Sequence, residues 1–161
     1  MPRYDNEVRI TLSVLDRLLD FEPGVPAEPP ASRAKNLRVF RQGIRRDLEW
    51  LLNTRRLAQK VPEGMTELDR SLASYGLPDF TTASSDSQHD QWLMQQAIEE
   101  TVRTFETRLQ DVVVTVEPAR GSERAMRFRI DAMLVVDPAP EPVTFDTTLQ
   151  LVSGEYQVQE K

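Results

Sequence analysis

Residues 91–117 read QWLMQQAIEETVRTFETRLQDVVVTVE, and within this stretch the apolar period changes. Met94, Ile98, Val102, Phe105 and Leu109 recur every three or four positions, the spacing that lines one face of a helix. From Val112 the spacing drops to two, with Val112, Val114 and Val116 alternating against Val113, Thr115 and Glu117, as in a strand with one buried face. The reading is a helix from about Gln91 to Leu109 that passes into strand.

Period two persists to the end of the chain. Met126, Phe128, Ile130, Ala132, Leu134 and Val136 alternate with Arg127, Arg129 and Asp131, after a turn over Pro118 to Ser122. Pro138-Ala139-Pro140-Glu141-Pro142 breaks that run, and Val143, Phe145, Thr147, Leu149 and Leu151 then share a face against Thr144, Asp146, Thr148 and Gln150. Ser153-Gly154 permits a tight return into Glu155-Tyr156-Gln157-Val158.

Upstream the pattern is helical. Leu37, Phe40, Ile44, Leu48, Leu51 and Leu52 form a sustained stripe from a Ser32 cap to Asn53-Thr54. Trp50 lies beside the stripe and is assigned to the core, the alternative being an interface anchor. Leu68, Leu72 and Tyr75 make a shorter set ending at Gly76, which suits a left-handed cap. Thr81 to Ser87 is small and polar, a loop in which Ser87 or Asp90 can cap the next helix. Near the start, Leu12, Leu15, Leu18 and Leu19 mark a short amphipathic helix, followed by the proline-rich stretch from Glu22 to Ser32. Helices first and a meander after them define an α+β class, with a short helix and linker at 1–31 and a single α+β domain at 32–161.

A chain of 161 residues buries roughly 70% of its unfolded surface, enough for a real core. The net charge of -6, with arginines dispersed among acids, argues against nucleic acid as a partner. The absence of cysteine removes disulfides, thiolate metal sites and thiol nucleophiles together. No segment approaches the roughly 20 apolar residues of a membrane span, and Met1 to Glu7 lacks a signal-peptide core, so direct membrane insertion is not expected and the expected address is cytoplasmic.

Catalytic motifs are sparse. The single histidine, His89, falls in the polar run before a helix and reads as solvated. No phosphate-binding glycine loop, nucleophile elbow or metal-ligand spacing occurs. Two carboxylates across a cleft would suffice for a glycan hydrolase, and Glu49, Glu99, Glu100 and Glu106 are available, although acids opposite an apolar stripe are ordinarily solvated. No cofactor is expected.

Four segments, taken in order, carry a family resemblance: Ser13 to Asp20, Arg46 to Arg55, Ser71 to Asp79, and Phe105 to Leu109. Leu-Leu-Asn-Thr-Arg after an amphipathic helix, followed by Tyr-Gly-Leu-Pro-Asp, resembles the TssE subunit of type VI secretion systems and its phage-tail relatives. The resemblance implies a structural baseplate wedge component on which a contractile sheath starts, related to a tail protein once described as a lysozyme. It implies as partners other wedge subunits of the TssF, TssG and TssK type and sheath subunits of the TssB and TssC type, and a fold similar to the strand-exchange part of a sheath subunit.

The family signature is Glu-Pro-Arg, and this chain has Glu106, Thr107 and Arg108. Threonine keeps the N–H that proline lacks, so the helix is free to continue. In a helix, residues two apart face different directions, and joint action of Glu106 and Arg108 therefore requires the chain to leave helical geometry there. The alternative is a surface pair between Glu106 and Arg103. Asn53 and Arg55 are candidates for partner contact or for capping the preceding helix. Edge pairing is the expected mode of association, with Val143, Phe145, Thr147 and Leu149, and the strand from Tyr156 to Val158, as candidate receiving surfaces unless they form an internal hairpin. A peptidoglycan hydrolase and an unrelated binding module are the competing readings.

Overall fold

A computed structural model describes residues 10, 12–19, 33–57, 62, 64–80, 83–84, 87–117, 125–151 and 153–161. Helices α1 (Val14–Leu18), α2 (Arg33–Asn53) and α3 (Thr66–Asp69), a 3-10 turn (Leu72–Ser74) and α4 (Gln88–Phe105) precede four strands. These are β1 (Leu109–Glu117), β2 (Ala125–Leu134), β3 (Glu141–Gln150) and β4 (Glu155–Glu160), paired antiparallel in the order β1-β2-β3-β4. The α+β meander expected from the change of period is the fold that forms.

Alternation explains the sheet. In β2, Met126, Phe128, Ile130, Ala132 and Leu134 are buried while Arg127, Arg129, Asp131 and Met133 are only partly so. Register aligns these rows, with Ile130 opposite Val114 on one side and Phe145 on the other. The buried face receives Phe40, Ile44, Leu48, Leu51 and Leu52 of α2 and Met94, Ile98 and Val102 of α4 in one core cluster. Each large apolar side chain buried in this way contributes about 1.5–3 kcal/mol. Helix α4 packs on β1 and α2 on β4, so the two long helices lie side by side on one face of the sheet, each towards one of its edges.

Four expectations change. Helix α4 stops at Phe105, and Leu109 is the first residue of β1, 4% exposed. Pairing with β2 slips between Gln110 and Val113, where Asp111 has φ 51°, and this bulge turns Leu109 and Val112 to the same buried face. A spacing of three inside a bulged strand imitates a helix. Leu68, Leu72 and Tyr75 do not form one helix, because α3 and the 3-10 turn split them and Leu72 is 86% exposed. Trp50 is 54% exposed and outside the core. His89 lies in the first turn of α4, its ring stacked on Trp92, instead of in a loop. Ser87 caps α4 as expected, accepting from the Asp90 N–H at 3.2 Å. The Ser32 cap, the stretch from Glu22 to Ser32 and the turn from Pro118 to Ser122 lie outside the described residues.

Gly76 has the positive φ expected of it, 101°, for a specific reason. A Cβ there would stand 2.2 Å from the Thr54 carbonyl oxygen, to which the Leu77 N–H donates at 2.8 Å. The Arg56 N–H in turn donates to the Leu77 carbonyl at 2.9 Å. Absence of a side chain thus lets this loop clamp the end of α2. Gly64 also has positive φ, 88°, but nothing lies within 4 Å of its missing Cβ. Gly76→Ala is expected to cost about 3 kcal/mol and Gly64→Ala only about 1 kcal/mol, measured as shifts in the urea midpoint at unchanged m-value.

Candidate functional site: an ion network at the helix-to-strand junction

Glu106 ends α4 with φ -104° and ψ 81°, while its N–H still donates to Val102 at 2.9 Å. The chain leaves helical geometry at this residue. The departure is what joint action of Glu106 and Arg108 requires, and it occurs with threonine between them.

Arg108 folds back on Glu106. Its backbone N–H and its Nε both donate to Oε1 of Glu106, at 3.2 and 2.6 Å, and Nη2 meets Oε2. The same Nη2 donates to Oδ2 of Asp47 at 2.7 Å, which ties the junction to α2. Arg46 grips the other oxygen of Asp47 at 2.9 and 3.0 Å and reaches Asp16 of α1 at 2.9 Å. Asp16 also accepts from the Ser13 hydroxyl at 2.6 Å. The result is an alternating chain of charges from Glu106 through Arg108, Asp47 and Arg46 to Asp16.

The network is largely enclosed. Glu106 is 6% exposed, and the Arg108 guanidinium stands over the Phe40 ring, 5.7 Å from its centroid. Burial alone would lower the Arg108 pKa, but hydrogen bonds and charge from Glu106 and Asp47 outweigh it and hold the guanidinium ionised. Tyr75, edge-on to Phe105 at 5.2 Å, has its pKa raised by burial first and then by the charges of Asp47 and Glu106. An open cleft of about 400 Å³ borders the network, lined by Ser13, Leu15, Tyr75 and Thr107 among others. Gly43 admits α1, since a Cβ there would lie 2.7 Å from an Asp16 carboxylate oxygen.

Arg103 is the partner of Glu99, at 2.8 Å, and not of Glu106. Asp47, Arg46 and Asp16 were not singled out from sequence. A signal existed, because Asp47 is the first acid after Arg33, Lys35, Arg38, Arg41, Arg45 and Arg46, an odd position for an unpaired charge.

Asn53 and Arg55 lie apart from this network. Asn53 donates to the Glu49 carbonyl at 2.8 Å, a capping contact, and its amide also exchanges two bonds with Tyr156 of β4. Arg55 is exposed and pairs with Asp79 at 3.5 Å, beside a cleft of about 540 Å³ floored by Leu52, Leu77, Leu149 and Tyr156. Val143, Phe145, Thr147 and Leu149 are buried in β3, which pairs with β2 along its whole length and with β4 from Phe145 to Gln150. Phe145, Thr147 and Leu149 are thus interior to the sheet with no edge to lend, which corrects their placement as a receiving surface.

Of the four carboxylates considered for hydrolysis, Glu100 is exposed on α4 and the other three are engaged. Both Glu106 oxygens are held by Arg108, Glu49 pairs with Arg45 at 3.2 Å, and Glu99 binds Arg103 and the Val114 N–H. Among the described residues no cluster of metal-binding side chains occurs.

Removing Arg108 would leave the buried Glu106 carboxylate unpaired and take from Asp47 one of its two cations, so Arg108→Ala is expected to destabilise the fold by about 3 kcal/mol, read from urea unfolding. Glu106→Gln with Arg108→Met should recover part of that loss. At Tyr156, burial raises the phenol pKa above 10.0, and its hydroxyl has no hydrogen-bond partner among the described residues. A raised folded-state pKa favours the protonated fold, so this contribution is present below pH 10 and is lost as pH rises beyond it. Tyr156→Phe should flatten the alkaline decline in stability and raise stability at pH 7 by about 1 kcal/mol, measured by thermal melts across pH.

The family model described as baseplate wedge protein gp25 matches residues 38–139, more than half of the chain. The match runs from within α2 through α4 and β1 to just past β2, and so contains Asp47, Glu106 and Arg108. Neither a curated protein nor a solved structure matches the chain. The matched span and the junction it encloses place this chain in the baseplate wedge protein gp25 family, whose members are structural components of contractile, phage-tail-like baseplates.

Proposed function

We propose that the chain is the TssE-type wedge subunit of a type VI secretion baseplate, which joins the other wedge subunits to the sheath and starts sheath polymerisation by edge-strand pairing. The observation that carries this reading is the Glu106–Arg108 pair, built in this family member even though Thr107 replaces the family proline. Its support is mechanical. A network that ties α1, α2 and the α4–β1 junction gives an adaptor a rigid base, and rigidity lowers the entropic cost of binding.

In this reading the subunit works in the cytoplasm without enzymatic activity. Its partners are wedge subunits of the TssF, TssG and TssK type and sheath subunits of the TssB and TssC type. Arg108, partly exposed, meets a wedge partner, while the buried Glu106 holds it in position. Arg55 and Asn53 form a second contact beside the larger cleft. Residues 1–31, with α1, act as an attachment arm for the body at 32–161.

The test is co-purification of the full chain with the wedge and sheath subunits of its own system. Wild type should bind. Arg108→Lys, which keeps the charge but loses the forked geometry, should retain its circular dichroism and bind wedge subunits about tenfold more weakly. Unchanged binding by that variant would remove Arg108 from the interface, and a folded wild type that binds no subunit would overturn the adaptor role.

A further inference from the structure

Helix α1 is held in place by a charge and not by its apolar residues. None of its residues is buried, and Val14 and Leu18, one turn apart, are 72% and 76% exposed. A helix of five residues is far shorter than the roughly 12 to 15 that keep helical form alone, so its structure depends on what it is attached to. The attachment is Asp16, whose side chain is 5% exposed. Its Oδ2 accepts from the Ser13 hydroxyl at 2.6 Å, and the Asp16 N–H donates back to that hydroxyl oxygen at 3.1 Å, which closes the first turn. Its Oδ1 accepts from Nη1 of Arg46 at 2.9 Å, which fixes the turn on α2. Capping and docking share one carboxylate, so α1 forms and docks together.

The seat of that carboxylate is Gly43, buried in α2. A Cβ there would stand 2.7 Å from Oδ2 and 3.2 Å from both Cγ and Oδ1 of Asp16, so the carboxylate occupies the space that a side chain would take. Glycine is a poor residue for a helix interior and alanine the best, so Gly43 runs against the local preference of α2. The chain is pinned on both sides of α1. Ile10 belongs to the core and Leu12 packs on it, and beyond α1 Arg33 of α2 holds Glu141 at 3.2 Å. Withdrawal of Asp16 therefore frees α1 without detaching either end. Ser13 and Leu15 line the cleft of about 400 Å³ together with Asp47, Thr107 and Arg108. When α1 leaves, that side of the cleft opens, while Asp47 keeps Arg46 at 2.9 Å and Arg108 at 2.7 Å.

We propose that α1 is an autoinhibitory strap: docked through Asp16 in the Gly43 seat it screens Asp47 and Arg108, and withdrawal of that one carboxylate opens them to a partner. Naming the partner as a wedge subunit rests on the adaptor reading above, whereas the strap and its seat do not. A partner that needs the open form binds more weakly in proportion to the open fraction, so a strap docked about nine-tenths of the time lowers affinity about tenfold.

Gly43→Ala separates the seat from the fold, because alanine favours α2 while its methyl group takes the place of the carboxylate. Hydrogen exchange of the full chain reads the strap through the amides of Arg17 and Leu19, which donate to the Ser13 and Leu15 carbonyls in the docked helix. Both should exchange about tenfold faster in Gly43→Ala, with the Ile98 and Val102 amides of α4 unchanged, and purified wedge subunits of the same system should bind this variant about tenfold more tightly. The two ratios report one docked fraction and should agree. Asp16→Asn, which keeps the shape but loses the charge that Arg46 holds, should move both in the same direction. Unchanged exchange in both variants overturns the strap while the adaptor role stands. Faster exchange with weaker binding overturns the screen, since docked α1 is then part of the contact. If folded wild type and Gly43→Ala both bind no wedge subunit, the adaptor role and the gate fail together.

Discussion

The Arg108 guanidinium is shared by Glu106, two residues before it, and Asp47, sixty-one residues before it. Everything that makes this fold one body passes close to that sharing. The carboxylate of Glu106 can be buried only because a cation is bound to it, and the cation can lie over Phe40 only because two anions surround it. The same contact decides where α4 stops. An uninterrupted helix would send Glu106 and Arg108 to different faces, so forming the pair and ending the helix are one event.

From that junction the chain turns into β1, and the bulge at Asp111 restores the alternation that the sheet needs. Helices and strands are then mutually dependent. The helices bury one face of the sheet, and the sheet's outward edges are met by polar groups from the same helices. Asn53 serves β4, and Glu99 with Arg103 serves β1. Exposed strand edges invite indiscriminate pairing, and proteins ordinarily protect them with charge or cover. Here the protection comes from side chains of the two long helices, Asn53 and Arg45 along β4 and Glu99 and Arg103 along β1.

Membership of the baseplate wedge family accords with a structural role for the carboxylates of this chain. Glu49, Glu99 and Glu106 each have an arginine partner. Their positions at helix ends and sheet edges are those of groups that satisfy backbone or bind elements together.

The α+β class, the stripe of α2, the Ser87 cap and the paired strands were legible because each rests on periodicity or capping, which are local properties of the chain. The end of α4 was not, because Leu109 satisfies the helical spacing and the strand equally, and burial at a bulge decides between them. Trp50 was misplaced for a related reason: a residue on the flank of an apolar stripe is core or surface according to what packs beside it. Glu106 and Arg108 were recognisable from resemblance, but Asp47 and Asp16, which complete their network, come from distant parts of the chain. Which side chains meet the outer edges of the meander was likewise decided by tertiary packing. Alternation shows that strands exist and which face they bury, whereas the partners of their outermost backbone groups depend on where two helices come to lie.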